Sequence, residues 1–327
     1  MKLLTIAIPT YNRALYLDLC LSHLYKQLPG NDGLVDLLVS DNNSTDGTAD
    51  VVQKYINQGL RITYNKNSEN IGASKNVLQC YTLATGKYVL VLGDDDFMLT
   101  GALSEILSVL QRGEFGVVHL GVFSYHENAE LETLYQNRSS GEVVICSDKR
   151  KFIQMVNYYL TFISGNVVNR TLLFDDLDLN EFAITNLPQL SWTLSALFRA
   201  QENVVLERYL VAAKLENSGG YKPCETFGFR MDKIFEIFIK KGIDKKYFNI
   251  IRHNLLFSFF PYTIMKLRRN RGSFLPENCF TTLYPIYRTY LMFWLVTVPA
   301  IYMPLPIVEL GSSVMRKTIR LLKLLRR

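Results

Sequence analysis

Three aspartates stand in a row at positions 94 to 96, directly after the apolar run VLVL and Gly93. Four apolar residues in succession read as a strand buried on both faces. Carboxylates packed at its end repel one another and resist leaving water, so they need a compensating partner, solvent, or both. Two readings follow. In one, the aspartates form a solvated turn, with Asp96 or Thr100 capping a helix in GALSEILSVL. In the other, Asp94 and Asp96 bind a divalent cation, Mg2+ or Mn2+, which takes hard oxygen ligands.

The elements that must position these aspartates are legible in the first hundred residues. LLTIAIP, LVDLLVSD, LRITYN and KYVLVLGDDD are strand-like, and ALYLDLCLSHLYKQ, TADVVQKYINQ and ASKNVLQCYTLAT between them have helical periodicity. Strands alternating with helices of this length predict βαβ units and a mostly parallel sheet. Ligands of such sheets sit beyond the carboxyl ends of the strands. The segments there are PTYNR, SDNNSTDGT, NKNSENIG and GDDDF. Each alone suits an ordinary turn; four on one sheet edge point to a site.

IPTYNR, LVSDNNSTDGT, NIGASKN and ATGKYVLVLGDDD, in this order and spacing over about the first 105 residues, resemble the family 2 glycosyltransferases of the GT-A fold. The resemblance implies an α/β, Rossmann-like nucleotide-sugar-binding domain. It implies that Pro9, Thr10 and Tyr11 line the base and ribose, that Asp41 recognises the base, and that Asn70 and Gly72 bring backbone close to the nucleotide. Lys75 stands where the family usually has arginine, which keeps the charge and loses the bidentate fork. Asp94 and Asp95 would face the nucleotide sugar, and Asp94 and Asp96 would hold the Mg2+ or Mn2+ that steadies the departing diphosphate.

The acceptor half departs from the family. Where many relatives have a Glu-Asp pair supplying the general base, this chain has Pro188 and Gln189, and an amide cannot take the proton. Asp175, Asp176, Asp178 and Glu181 lie upstream and Glu216 downstream; Glu181 is the expected base. FISGNVVNR resembles the acceptor-side strand, which gives Gly165 and Asn166 an acceptor role. The short DDDF and the NLPQLSW region resemble O-antigen transferases of dideoxyhexoses, of the abequosyl type. Of the four histidines, His23 is expected to be structural, and His126 could complete a metal shell at the sheet edge.

The 327 residues, 48% hydrophobic and 20% charged, describe a globular chain with a large core. Its net charge of +6 is uneven: the last twelve residues carry six Arg or Lys and no acid. Residues 290–308 form an uncharged run of nineteen, crowded by Pro299, Pro304 and Pro306. That predicts an interfacial or re-entrant segment rather than a straight span, followed by an amphipathic helix on an anionic bilayer. The five cysteines show no CxxC spacing, which predicts reduced, buried thiols rather than disulfides or a zinc site. The apolar N-terminal run is short and broken by Pro9, so it reads as a first strand rather than a secretory signal.

The expected organisation is a GT-A domain over 1–220 and a mainly helical, membrane-associating region over 221–327. The expected activity is transfer of a sugar from a nucleoside-diphosphate donor to a polyprenyl-linked glycan at the cytoplasmic face of the bacterial inner membrane, by a peripheral or monotopic protein. A homodimer is an open possibility, and no nucleic-acid partner is expected. The alternatives are a non-catalytic membrane-bound nucleotide- or glycan-binding protein, which the missing Glu-Asp pair keeps open, and a sugar nucleotidyltransferase, which would need a glycine-rich basic loop where PTYNR stands.

Overall fold

A computed structural model describes residues 2–31, 33–125, 141–214, 220–269 and 274–310. His126, Glu216 and the basic tail after residue 310 lie outside the described residues. The chain divides into two compact units, residues 1–217 with 238–247, and residues 218–237 with 248–327.

The larger unit is built on one mixed sheet. Its strands are β1 Leu4–Thr10, β2 Val35–Asp41, β3 Ile62–Lys66, β4 Tyr88–Val91, β5 Phe97–Met98, β6 Phe115–Tyr125, β7 Val143–Cys146, β8 Asn166–Asn169 and β9 Glu202–Lys214. The order is β3-β2-β1-β4-β8-β6-β9-β5, with β7 also pairing β9. The first four strands are mutually parallel, as the βαβ pattern requires, whereas β8 runs antiparallel to β4 and β6. Helices α1 Ala14–Tyr25, α2 Thr48–Asn57, α3 Ala73–Leu83 and α4 Ala102–Arg112 alternate with these strands. Every residue of β4 is buried, which accounts for its unbroken apolar run. Leu103, Ile106, Leu107 and Leu110 of α4, at helical spacing, enter the same core as Ile6, Val39 and Leu90.

Parallel register sets the functional edge. Thr10 pairs with Asp41 and Asp41 with Lys66, so the last residues of three neighbouring strands form a row. Ala7 pairs with Val91, which places Thr10 and Asp94, each three residues further on, side by side.

Two local expectations are corrected. The N-cap of α4 is Gly101, in the left-handed region at φ 80°, with no side-chain cap. Asp96 is separated from that helix by β5, and Gly101 rather than Thr100 occupies the N-cap position. FISGNVVNR is not one strand: Ile163–Gly165 is a turn of 3-10 helix, and β8 begins only at Asn166. A Cβ on Gly165 would stand 2.9 Å from the Phe162 ring, so a larger residue here would force that ring to shift.

The smaller unit is helical in its described residues. Its core includes Phe235 stacked on Phe248 at 4.7 Å, with Phe260, Tyr287 and Phe293 buried. Arg252 is buried beside them and pairs with Asp232 at 2.7 Å. The run 290–308 is divided: helical over 291–302, including a π-type turn Phe293–Thr297, then broken at Met303 and Pro304 before a further helical stretch. Among the described residues no helix is long and apolar enough to cross a membrane. All five cysteines are free and buried.

Candidate active site

The aspartate turn is tied down from four directions. From the end of β1, Thr10 Oγ1 donates to Asp94 Oδ2 at 2.8 Å. From the turn before α1, Arg13 pairs with Asp94 through one guanidinium nitrogen and with Asp95 through another, each at 3.0 Å. From the turn before β8, Ser164 Oγ donates to Asp96 Oδ2 at 2.5 Å and accepts from the Gly93 N–H at 2.9 Å. Asp96 Oδ1 also accepts the Lys214 N–H at 3.2 Å, at the end of β9. A Cβ on Gly93 would meet Asp96 Oδ2 at 3.1 Å and Asp95 Oδ1 at 3.2 Å, so glycine lets the carboxylates fold back over their own turn.

The electrostatics of this turn answer the question its sequence poses. Burial pushes Asp94 up to about 7 against the pull of Arg13, and burial with the neighbouring Asp95 pushes Asp96 up to about 7. One partly exposed guanidinium therefore does not compensate the three carboxylates. The donor set is all hard carboxylate oxygen and short of positive charge, which fits Mg2+ or Mn2+. Asp94 and Asp96 would hold the cation, with Asp95, the most exposed of the three, alongside; a cation that takes Asp94 must share it with Arg13 or displace that side chain.

Asp41 is fully buried. One of its oxygens accepts the Ser44 N–H at 2.8 Å and the other the Tyr64 hydroxyl at 2.6 Å. Burial and this carboxylate raise the Tyr64 phenol well above its ordinary range. As described, Asp41 holds the turn after β2 against β3. Pro9 and Thr10 end β1, and Tyr11 stands 42% exposed beyond them, an aromatic face open to a flat ligand. Asn70 accepts from Asn42 at 2.7 Å and from the Gly72 N–H at 2.9 Å. Gly72, at φ 86°, is the N-cap of α3, a conformation that glycine adopts without strain. Lys75 follows, exposed in the first turn of α3. A cation there opposes the helix dipole, and a bound phosphate would satisfy the lysine and the helix terminus together.

The acceptor-side residues prove more structural than the sequence suggests. Asn166 is buried; its amide donates to the Tyr159, Leu160 and Phe162 carbonyls at 3.1, 3.3 and 2.8 Å, and its oxygen lies 2.9 Å from His119 Nδ1. Gly165 and Asn166 thus fix the turn that presents Ser164 to Asp96. Gln189 is buried, with its amide nitrogen on the Thr161 carbonyl and its oxygen unpartnered. Glu181 is exposed on a short helix, Leu179–Ala183. Among the described residues no hydrogen bond or ion pair joins its carboxylate to the aspartate turn. Its neighbours have structural tasks: Asp178 caps that helix through the Asn180 N–H at 2.9 Å, and Asp176 pairs with Lys241.

Sequence reasoning missed Arg13 and Ser164 as site residues. Both lie inside segments quoted for other reasons, PTYNR and FISGNVVNR. Their contacts with the aspartates span 81 and 68 positions, so no local spacing could reveal them.

Comparison with known proteins agrees with this geometry. The model of Glycosyl transferase family 2 matches residues 5–174. Abequosyltransferase RfbV of Salmonella typhimurium is 35% identical over 109 residues, 33% of this chain and 32% of that protein. The GalNAc(5)-diNAcBac-PP-undecaprenol beta-1,3-glucosyltransferase of Campylobacter jejuni is 33% identical over 122 residues, 37% of each. The chain therefore matches about a third of the length of these relatives. Among solved structures, S. aureus TarS 1-349 is similar with a TM-score of 0.59 at 17% identity, covering 94% of this chain and 83% of that one. Its complex with UDP gives the same TM-score at 18% identity, over 92% and 89% of the two chains. That likeness is one of fold. The family match spans over half of the chain and takes in β1 to β4, Arg13 and the aspartate turn; the protein belongs to the family 2 glycosyltransferases.

Proposed function

We propose that this protein transfers one sugar from a nucleoside diphosphate to a hydroxyl of a lipid-linked glycan in bacterial surface polysaccharide synthesis of the O-antigen type. The observation that carries the reading is the aspartate turn: two buried, undercompensated carboxylates, Asp94 and Asp96, at the end of a parallel strand in a family 2 domain, beside the row Thr10, Asp41 and Lys66. A divalent cation bound there would neutralise the diphosphate and stabilise it as a leaving group. Thr10 and Ser164 orient the carboxylates, Tyr11 offers a stacking face for the base, and Lys75 faces phosphate. The abequosyl and undecaprenol-linked glucosyl relatives support the substrate class. Glu181 is the proposed base, reaching the acceptor hydroxyl from its exposed position.

A thermal-shift panel of UDP, CDP, GDP and dTDP, each with and without Mn2+, tests the donor site. One nucleotide should stabilise the protein by several degrees, and only with metal. No shift with any of them would remove the donor-site assignment and favour a non-catalytic role, which the amide at Gln189 otherwise keeps in view. Hydrolysis of a stabilising nucleotide sugar would argue against that second reading.

The smaller unit would meet a membrane surface. Leu291, Leu295, Tyr302 and Leu310 are each more than 60% exposed, with Trp294 at 44%. Aromatic and aliphatic side chains of this kind suit the boundary between headgroup and acyl chain. A polyprenyl-linked acceptor would place the protein at the cytoplasmic face of the inner membrane. In flotation with vesicles containing anionic lipid, the wild type should rise with the lipid, and Leu291→Glu with Leu295→Glu should remain at the bottom. Wild type that stays soluble and elutes as a dimer would assign the same face to a second copy instead.

A further inference from the structure

The smaller unit contains a cluster to which no part of the transfer reaction assigns a role. Cys224, Glu277 and Cys279 each bring one sulfur or carboxylate oxygen to a common point, all within 4.8 Å of one another. We propose that these three residues form a second cation site, of the thiophilic kind that takes zinc, which clamps the start of one helix to the start of another.

Cys224 immediately precedes the helical turn Glu225–Arg230, and Cys279 is the first residue of the helix Cys279–Tyr287. Both thiols are buried, at 0% and 8% exposure. Glu277 is fixed from behind: its two carboxylate oxygens accept the N–H groups of Cys224 at 2.6 Å and Glu225 at 2.9 Å. Those amides orient the carboxylate, and each oxygen keeps a lone pair. Second-shell bonds of this sort define a ligand's direction in metal sites. Capping of the amides explains Glu277, but not why two thiols 55 positions apart in the sequence also meet there. Two sulfurs on one tetrahedral zinc stand about 3.8 Å apart, from Zn–S bonds of about 2.3 Å, so small side-chain rotations would close the shell. Glu277 and Cys279 also line a cavity of about 720 Å3, which offers a route in and room for a water as fourth ligand.

The protons and charges balance. The hydrogen bond with Cys279, burial and the Glu277 carboxylate hold the Cys224 thiol well above its usual range, and burial raises Glu277. Without a cation the Cys224 thiol keeps its proton. On binding, two S–H protons pass to solvent, two metal–sulfur bonds form, and two thiolates with one carboxylate around a divalent ion leave a net charge of −1. The scattered cysteines give no metal-ligand spacing, because Cys224 stands more than fifty positions from Glu277 and Cys279.

Cobalt(II) titration of the full-length, chelator-treated protein tests the proposal. One equivalent should give the sulfur-to-cobalt charge-transfer absorption, which Zn2+ abolishes by displacement. Carboxylates cannot produce that band, so the aspartate turn does not contribute to it. Cys224→Ser and Cys279→Ser should each remove the band, and Cys146→Ser should leave it. Should the serine variants fail to fold, alkylation of the wild type read by mass spectrometry replaces them: Zn2+ should protect Cys224 and Cys279 at least tenfold and leave Cys20, Cys80 and Cys146 unchanged. Absence of the band, a band that survives in a folded Cys224→Ser protein, or equal labelling with and without zinc would overturn the site.

Discussion

An Asp96→Asn variant should fold like the wild type and lose on the order of a thousandfold in transfer rate, the scale of several kcal/mol of lost charge stabilisation at a departing diphosphate. The fold should tolerate the change because the partners of Asp96 can adapt. The amide oxygen can keep the Lys214 N–H, and the amide nitrogen can donate to Ser164 Oγ once that hydroxyl turns its proton away. The substitution also removes a carboxyl group that burial already disfavours as an anion. Metal-free melting at pH 8 should therefore be unchanged or higher, while the stabilisation by Mn2+ with nucleotide disappears. A folded variant that retains metal-dependent transfer would remove Asp96 from the metal site.

The affinity of the aspartate turn for Mn2+ should rise steeply between about pH 5 and 7 and level off above it. Asp94 and Asp96 are both raised to about 7, so below that pH a cation must displace protons to bind. Each proton displaced steepens the dependence tenfold per pH unit, so the two together approach about a hundredfold. The same shifts fix the sign for stability. An aspartate titrates near 4 in the unfolded chain and near 7 here, so the native state binds more protons over that window. Stability of the metal-free protein should fall as pH rises from about 4 to 7 and then remain level. Calorimetric titration with Mn2+ in buffers of different ionisation enthalpy would count the protons released. Binding that is flat from pH 5 to 8 would contradict an assignment to these carboxylates.

How much of this was readable beforehand follows from the range of each interaction. Hydrophobic periodicity and turn chemistry are local, and they identified the βαβ alternation, the four ligand-facing turns, and Asp94–Asp96 as the residues demanding a partner. Local pattern also misled: FISGNVVNR has strand composition, yet Gly165 and the three carbonyls held by Asn166 make half of it a turn. Asp41 read as a base-recognising aspartate, and only the structure shows that its two oxygens also accept from Ser44 and Tyr64. The sequence by itself determined which residues would stand at the carboxyl ends of the strands, because strand length and polarity decide that residue by residue. Which of them touch was decided by tertiary structure alone. The β1–β4 register sets Thr10 against Asp94, a tight glycine turn delivers Ser164 to Asp96, and folding of the smaller unit gathers Cys224, Glu277 and Cys279. Contacts of this kind join segments tens of residues apart, and strand register and packing, rather than spacing along the chain, bring them together.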